Sequence, residues 1–432
     1  MRSLSVFQVI LLTVFGAFAV SGILVFAIFV GGGSGKVIGP VTIWGPLDGG
    51  AFTAVFREAV DNDSRLAQVT YVEKDPATYE SELTEALASG NGPDLFLLRQ
   101  DGAVRGASRV LPIPYKALSA TQFANTFIEA ADSYLDSAGI LAVPLVADPL
   151  VMYWNRDMFS SAGFAQPPQT WGELDGIVQK ILKKSDAGTI EKAAVAFGEY
   201  ANVNNAKDIL SMLILQAGGR LTVRDQAGRL VPALSVSTAA SPQATESALR
   251  FYTEFADPSN VRYSWNRSLP DSRATFASGD LALYFGYASE GPMIVRANPN
   301  LNLGVAAVPQ TASGERAVDV AHVYAFAVAR TSKNPQGAAT IAFLLTSTEI
   351  SRSLSTALGI PSARRDVLSE PAEGNGDLFN NQVILARSWI DPDSQKTGDI
   401  FRAMIERVTS GSARLSEAVQ RADQEMAQLI EQ

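Results

Sequence analysis

Several side chains that can recognise a polar ligand follow predicted strands of the chain. Trp44 and Asp48 come at the end of a first apolar strand, Asp101 lies a few residues past a third strand, and Tyr200 follows a later one. Carboxylates accept hydrogen bonds from neighbouring hydroxyl groups, and aromatic rings cover apolar ligand faces. Ligands of open α/β sheets bind at the carboxyl ends of the strands. The pattern favours noncovalent binding of a polar ligand. The alternative at each position is a structural role, as a solvent-exposed acid or as an aromatic residue of the core.

The composition excludes several kinds of chemistry. The 432 residues contain no cysteine and one histidine, His322, which removes thiol catalysis, thiolate metal sites and paired-histidine schemes. The formal net charge of −9 argues against a nucleic-acid binder, which needs clustered Lys and Arg. The segment 391–396 begins like a calcium loop but has Lys396 where glycine is required. The sequence therefore predicts no metal and no cofactor, although paired carboxylates of a glycosidase remain open.

The N-terminus carries a long uncharged segment between Arg2 and Lys36. Residues 4–30 are almost all apolar, and about 20 such residues suffice for a helix to cross a bilayer. The segment predicts a transmembrane signal anchor with the bulk of the chain outside, since Arg2 stays inside. A cleaved signal ending near Ala19 is the alternative. The glycine-rich residues 31–40 are predicted to be a flexible tether.

Beyond residue 40, predicted strands and helices alternate, which is typical of a parallel sheet with crossover helices. The run 140–151 carries Pro144 and Pro149 and is predicted to be strand, bend and strand. The other predicted strands are 41–44, 68–72, 94–98, 193–197, 281–285 and 303–308. The predicted helices are 52–60, 76–87, 171–182, 206–216 and a pair within 401–430, with further starts at Ser241-Pro242 and Asn334-Pro335.

Several short phrases follow one another in a recognisable order over roughly residues 41–430. The phrases are Val41-Thr42-Ile43-Trp44-Gly45, Gly92-Pro93-Asp94-Leu95-Phe96, Met152-Tyr153-Trp154-Asn155-Arg156-Asp157, Pro167-Pro168-Gln169-Thr170-Trp171, Phe276-Ala277-Ser278-Gly279-Asp280, Thr331-Ser332-Lys333-Asn334-Pro335 and Leu358-Gly359-Ile360-Pro361-Ser362. In this order the chain resembles the extracellular solute-binding proteins of ATP-binding-cassette importers. The resemblance is to the cluster that binds sugars and oligosaccharides, of the maltose-binding-protein type.

The resemblance implies an α/β, two-lobe periplasmic-binding-protein fold (type II-like) that closes on its ligand about a hinge. Three hinge crossings are expected, near Pro144 and Pro149, at Val308-Pro309 and at Gly359-Ile360-Pro361. The expected N-lobe is 41–146 plus 307–357, and the expected C-lobe is 148–304 plus 360–432. The implied partners are a small solute, a saccharide in the first place, and the subunits of a membrane permease. No catalysis is expected.

The resemblance also implies ligand contacts. Asp101 matches an acid that contacts sugars, Asp148 lies at the family's acidic cleft position, and Tyr287 lies where the family offers an aromatic residue or glycine. With the residues chosen from the chain itself, the predicted ligand-binding set is Trp44, Asp48, Asp101, Asp148, Tyr200, Trp265, Tyr287, Tyr324 and Trp389. The segment around His322 departs from the small residues common in the family.

Two other functions remain open at this stage. A degenerate binding protein could act as a sensor or scaffold, and a secreted hydrolase could use two acids in a similar cleft. A further departure is the absence of cysteine, which excludes the lipid attachment familiar in this family. The predicted membrane anchor would serve the same purpose of keeping the receptor near its permease.

Overall fold

The structure is a computed structural model that describes residues 38–237, 243–312 and 316–432. The predicted anchor at 4–30, residues 31–37 of the tether and the helix start at Ser241-Pro242 lie outside these stretches. Within them, no helix combines the length and the apolar character that a membrane crossing requires.

Ten of the strands form one sheet, and crossover connections place strands that are distant in sequence next to each other. The sheet order is β2-β1-β3-β13-β6-β11-β8-β7, with β12 paired to β6 and β14 paired to β13. The strands are β1 Val41–Gly45, β2 Val69–Glu73, β3 Leu95–Arg99, β4 Leu135–Asp136, β5 Gly139–Ile140, β6 Val143–Asn155, β7 Lys183–Lys184, β8 Ile190–Val195, β9 Thr222–Arg224, β10 Leu230–Pro232, β11 Leu281–Tyr287, β12 Leu303–Ala306, β13 Asp319–Val328 and β14 Ala386–Arg387.

Helices pack against the strands of the sheet. They are Gly49–Ala59, Tyr79–Ala88, Ala103–Gly106, Ala120–Thr126, Arg156–Ser161, Leu174–Ile181, Ala206–Gln216, Ala244–Thr253, Ser272–Ala277, Gly291–Ala297, Pro335–Leu345, Thr348–Leu358, Arg365–Leu368, Gly376–Leu385, Ser394–Thr409 and Leu415–Ile430. The predicted pair within 401–430 is confirmed, with a break at Gly411, whose φ of +71° favours glycine.

Two separate hydrophobic cores divide the described chain into two lobes. One core contains β1, β3 and the first half of β6, and we call its surroundings the N-lobe. The other contains the second half of β6, β8 and β11, and we call its surroundings the C-lobe. Each core buries its own apolar residues, so each lobe has the packing of an independent unit.

The strand β6 belongs to both lobes. Its residues 143–149 pair with β13 of the N-lobe side, and its residues 150–154 pair with β11. Ala147 packs in the N-lobe core and Leu150 in the C-lobe core, so the first crossing lies between them. The predicted bend within 140–151 is wrong, because β6 is continuous and only a β-bulge opposite Tyr324 and Ala325 interrupts its register.

The second and third crossings lie later in the chain than expected. Val308 and Val320 still pack in the C-lobe core, whereas Ala321 packs in the N-lobe core, so β13 itself makes the second crossing. The expected crossing at Val308-Pro309 is therefore wrong. After β13 the buried core residues through Ala386 pack in the N-lobe core, and the chain then enters the C-lobe.

The expected third crossing at 359–361 is wrong for the same reason. Ile360 packs in the N-lobe core, the Pro361 carbonyl accepts a hydrogen bond from the Ala147 N–H at 2.8 Å, and the Ala363 N–H donates to Leu145 at 2.9 Å. The segment 361–363 thus pairs along β6 instead of leaving the lobe. The core residues from Ile360 to Ala386 belong to the N-lobe, while the partly buried Phe379 between them packs against the C-lobe core.

Of two helix starts predicted from an N-cap residue followed by proline, one is confirmed and one is shifted. Asn334 caps the helix Pro335–Leu345, as expected, through its side chain and the Gly337 N–H. The helix predicted from residue 76 begins only at Tyr79, because Asp75 instead forms a turn with the Ala77 N–H. At the start of the described chain, the Ile38 carbonyl accepts a hydrogen bond from Asn334 Nδ2 at 2.7 Å, so the end of the predicted tether is held on the N-lobe.

Candidate functional site

The two lobes meet around a small cavity beside the crossing strands, which we call the interlobe cavity. Its volume is about 20 Å³, enough for one water-sized molecule. Residues of both lobes line it, and most are polar. They are Gln100, Asp101, Lys207, Asp208, Ser211, Tyr287, Val320, Ala321, Arg387, Ser388, Trp389 and Asp391.

The N-lobe wall of the cavity is built by the residues that follow β3. Arg99 binds Asp101 through two hydrogen bonds, each of 2.6 Å, in the paired geometry that a guanidinium and a carboxylate favour. Gln100 between them donates to the Ala321 carbonyl and accepts from the Val323 N–H. The Gln100 amide therefore fixes this turn to the crossing strand β13 and aims Asp101 at the C-lobe.

The C-lobe wall combines the first turn of the helix Ala206–Gln216 with the loop before the helix Ser394–Thr409. Lys207 Nζ binds Asp391 Oδ2 at 2.5 Å and also donates to Thr397 Oγ1 at 2.8 Å. The Asp391 side chain is buried, with 1% exposed, and only 12% of the Lys207 side chain is exposed. A buried pair of this kind tolerates the loss of one partner poorly, since the remaining charge is left without compensation.

The centre of the site is a stack on the crossing strand. The rings of Tyr287 and His322 lie 3.8 Å apart at an interplanar angle of 22°. His322 Nε2 lies 3.5 Å from Asp208 Oδ2 of the C-lobe, and His322 pairs in the ladder with Asp148 of β6. Asp148 is buried, and its Oδ1 accepts a hydrogen bond from the Ser289 N–H at 3.1 Å.

The carboxyl groups of the site differ in their acidity. Burial raises the pKa of Asp148 to about 6, because one backbone donor compensates little of the lost hydration. Burial likewise raises the pKa of Asp391 to about 6 despite Lys207. For Asp101, burial acts in the same direction, but the charge and hydrogen bonds of Arg99 outweigh it and hold the pKa well below its usual range. Asp101 is therefore ionised at neutral pH.

Side chains of the two lobes touch each other across the cavity and at its rim. Ser394 Oγ donates to Asp101 Oδ2 at 2.6 Å and joins the C-lobe to the N-lobe acid. Arg105 of the N-lobe lies 3.8 Å from Asp393, and Asp136 of the N-lobe lies 3.7 Å from Arg224. These contacts close the cavity with the chain's own side chains.

The structure brings five of the predicted site residues to this centre. Asp101, Tyr287 and Trp389 line the cavity, Asp148 lies beside His322, and Tyr324 pairs with Arg99 in the ladder between β13 and β3. Tyr200 packs partly buried against the C-lobe core, with the Arg402 guanidinium 5.4 Å from its ring. Whether these side chains contact a ligand stays a prediction.

Three predicted residues have other structural roles. Trp265 is fully buried in the C-lobe core and its indole N–H donates to Asn202 Oδ1 at 3.1 Å, so its interpretation as a loop residue free to reach a ligand is wrong. Asp48 is exposed and caps the helix Gly49–Ala59 through the Ala51 N–H. Trp44 is half-buried, and the Lys74 ammonium group covers its ring at 3.9 Å.

Sequence reasoning missed Arg99, Lys207, Asp208, Ser211 and Ser394. The adjacency of Arg99 to Asp101 was visible, because a two-residue spacing after a strand permits an ion pair. The pairing of Lys207 with Asp391 was not visible, since 184 residues separate them. The sequence around Asp391 predicts a ligand contact through Trp389 and fails as a calcium loop, but it gives no sign of the pairing with Lys207. The described residues hold no group of three or more potential metal ligands.

A larger cavity, of about 230 Å³, lies elsewhere on the C-lobe. It is lined by Ile190, Glu191, Ala193, Leu269, Pro270, Ala274, Thr275, Ser278 and Asp280. None of these residues belongs to the N-lobe core or to a crossing strand. The interlobe cavity is the better candidate, because it gathers buried charges from both lobes at the crossing strands.

Comparisons with known proteins agree with this architecture. The family model described as bacterial extracellular solute-binding protein matches residues 52–379. A binding protein of Brucella abortus (strain 2308) is 24% identical over 242 residues, 54% of this chain and 54% of that protein. The chain thus aligns with about half the length of this curated relative.

Two solved structures share the fold over most of the chain. An ABC transporter solute-binding protein from Thermotoga lettingae, bound with alpha-D-tagatose, has a TM-score of 0.68 at 21% identity and covers 91% of this chain and 100% of that one. The cyclic alpha-maltosyl-1,6-maltose binding protein from Arthrobacter globiformis has a TM-score of 0.74 at 18% identity, over 91% and 99% of the chains.

Proposed function

The chain belongs to the bacterial extracellular solute-binding proteins, and we propose that it binds a neutral saccharide between its two lobes without chemical change and delivers it to an ABC-type permease. The relatives reported above are named as binding proteins, and none is named as an enzyme. In this proposal, separation of the lobes admits the saccharide and closure of the lobes retains it.

The observation that carries the proposal is the polar interface around the interlobe cavity. Two walls from different lobes face each other there, and three chain segments connect the lobes. Pockets that bury small ligands usually measure ~300–1,000 Å³, far more than the cavity of about 20 Å³. A saccharide can therefore enter only if the lobes move apart, which is what a hinge at the crossing strands permits.

The charges of the site favour a neutral ligand. Asp101 is paired with Arg99, Asp391 with Lys207, and Asp208 with His322. Because Asp101 and Asp391 and their bases Arg99 and Lys207 already have partners, an ionic ligand would find no free countercharge among these four groups. Ionised carboxylates still offer acceptor positions to sugar hydroxyls, and the rings of Tyr287 and Trp389 offer apolar faces. The solved neighbours that bind alpha-D-tagatose and a cyclic maltosyl maltose support the same ligand class.

The proposal includes attachment to the outer face of the cell membrane. Residues 4–30 are long and apolar enough to serve as a single-pass anchor, and Arg2 favours an N-terminus inside the cell. An anchor of this kind would raise the effective concentration of the receptor at its permease. Fractionation of cells with and without detergent tests it, since full-length chain in the soluble fraction would contradict the anchor.

Ligand binding is tested by titrating the full-length protein in detergent with D-tagatose, maltotriose and cyclic maltosyl maltose while recording tryptophan fluorescence. Trp389 lines the cavity, so binding is expected to change the emission. Asp101→Asn is expected to weaken binding by at least about tenfold, because the charged acceptor is lost. Recovery of the sugar with unchanged mass separates binding from hydrolysis.

The matched control is Asp186→Asn, which removes the same charge from an exposed position of the C-lobe. It is expected to bind as the unmodified protein does. A protein that responds to none of the saccharides but to peptides or phosphonates would contradict the proposed ligand class. An equal loss in both variants would contradict the proposed role of Asp101.

A further inference from the structure

Asp101 has an acceptor position that the chain itself occupies. Arg99 donates one hydrogen bond to each carboxylate oxygen of Asp101, and Ser394 Oγ donates a second one to Oδ2 at 2.6 Å. Ser394 belongs to the other lobe, 293 residues away. A serine hydroxyl and a sugar hydroxyl present the same donor group, so the two compete for one position.

The position of Ser394 is defined by its surroundings. It begins the helix Ser394–Thr409, whose N-cap is Asp393 through the N–H groups of Gln395 and Lys396. Lys207 Nζ donates to the Ser394 carbonyl at 3.1 Å and lies 3.3 Å from its hydroxyl oxygen. With its own oxygen facing an ammonium group, the Ser394 hydroxyl has its hydrogen free to point at Asp101.

A second contact lies beside the first. Arg105 follows Asp101 on the N-lobe, and its guanidinium lies 3.8 Å from Asp393 Oδ2 of the C-lobe. Arg105 is 56% exposed, so this pair contributes less than the hydrogen bond to Ser394. Together, Asp393 and Ser394 touch the N-lobe with two adjacent residues, and we call this pair of residues the interlobe latch.

We propose that Ser394 is an internal competitor of the ligand. Its hydroxyl donates to the Asp101 oxygen to which a saccharide hydroxyl donates in the complex, and this hydrogen bond holds the lobes together. The inference rests on the proposed binding of a saccharide at Asp101. The saccharide can enter only the open conformation, and the latch makes that conformation less populated. The latch therefore lowers the apparent affinity for the saccharide. Weakening the latch therefore opens the protein and tightens binding.

The first test measures the distance between the lobes without any added saccharide. Because the chain has no cysteine, Glu58→Cys on the N-lobe and Gln420→Cys on the C-lobe, both exposed, provide two unique spin-labelling positions. Pulsed electron paramagnetic resonance on the full-length protein in detergent is expected to give mainly one short distance between the two spin labels. Ser394→Ala is expected to shift the distribution toward a second, different distance, and Arg105→Ala to shift it less.

The second test is the affinity for the saccharide that gives the largest fluorescence response. Ser394→Ala is expected to lower its dissociation constant by about fivefold, as the loss of one competing hydrogen bond allows. The control Ser410→Ala removes an exposed hydroxyl at the other end of the same helix and leaves both distance and affinity unchanged.

Three outcomes would overturn the proposal. One is a Ser394→Ala distance distribution identical to that of the control. Another is weaker saccharide binding by Ser394→Ala, which would make Ser394 a ligand contact. The third is an Arg105→Ala shift when Ser394→Ala gives none. If no saccharide binds to any form, the proposed function fails, but the distance measurement still decides whether the latch holds the lobes.

Discussion

The two walls of the interlobe cavity each contain an acid paired with a base, but the pairs are built differently. Asp101 on the N-lobe wall is held by both arms of the Arg99 guanidinium, and its pKa lies well below the usual range. Asp391 on the C-lobe wall shares the Lys207 ammonium group with Thr397 and Ser394, and burial raises its pKa to about 6. The planar guanidinium of Arg99 matches both oxygens of a carboxylate, whereas the ammonium group of Lys207 acts as a point charge that several acceptors share.

This difference means that one wall keeps its charge while the other titrates near pH 6. The wall with the fixed charge carries the acid proposed to bind the ligand. The titrating wall lies deeper, at 1% exposure for Asp391, and supports the helix that carries the latch. We conclude that the N-lobe acid is suited to recognition and that the C-lobe pair is suited to structural support.

The largest effect is expected from Lys207→Met, which leaves Asp391 buried without a base. At pH 8 the free energy of unfolding should fall by ~3 kcal/mol, because an uncompensated buried charge is costly. At pH 5 the loss should be smaller, since Asp391, with its raised pKa, accepts a proton and becomes neutral. Urea unfolding at both pH values measures the difference.

The matched control for this variant is Lys192→Met. Lys192 pairs with Asp280 on the surface of the same lobe, with exposures of 40% and 46%, so its loss should cost less than ~1 kcal/mol at either pH. Equal losses for Lys207→Met at pH 5 and pH 8 would show that Asp391 does not titrate between them.

A medium effect is expected at Asp319, at the start of the crossing strand that joins the two walls. Asp319 is fully buried, and burial raises its pKa well above the usual range. The folded state then keeps a proton that the unfolded state has lost, so this group's contribution to stability is full below about pH 4 and declines as the pH rises.

Asp319→Asn removes that ionisable group with little change of shape. We expect it to raise the free energy of unfolding by ~1–2 kcal/mol at pH 8 and to change it little at pH 4, as seen in thermal unfolding. Asp61→Asn, at an exposed N-lobe position, should have no such pH dependence. A destabilised Asp319→Asn protein at pH 8 would mean that the carboxylate is ionised and paired in solution.

The smallest effect is expected from Arg99→Met. The side chain of Arg99 is 39% exposed, so solvent screens its pair with Asp101 and the loss of stability should be ~1 kcal/mol. Since the folded pKa of Asp101 is depressed, this stabilisation is present above about pH 4 and is lost as the pH falls through the folded pKa.

Unfolding curves for Arg99→Met at pH 5 and pH 8 should therefore both show the loss. A loss for Arg99→Met that is much larger at pH 8 than at pH 5, as expected for Lys207→Met, would remove the distinction between the two walls.

The alternation of strands and helices was predictable from local patterns. The helix Ala206–Gln216 has the predicted bounds, and Asn334 caps the helix it was expected to cap, since both signals lie within a few residues of the chain. The hinge positions were not predictable in this way. Pro149 indicated a bend, but a proline removes only one donor, and β6 continues through it where its partner changes from β13 to β11.

The site was predictable where its residues follow predicted strands or match positions of the resembling family. Asp101 and Tyr287 were found in this way, whereas Lys207 and Asp391 meet through a contact between a helix and a distant loop. Trp265 was misjudged because an indole in a loop can be buried when a distant amide, here that of Asn202, accepts its N–H. Single-sequence reasoning has no access to such partners.

The hydrogen bond between Ile38 and Asn334 joins the first residues of the described chain to the N-lobe. The chain first reaches the other half through β6, so a pull on the residues before Ile38 acts on the N-lobe before it acts on the C-lobe. In the proposed anchored receptor, the N-lobe is therefore the half tied to the membrane, and the C-lobe is connected to that tie only through the three crossings.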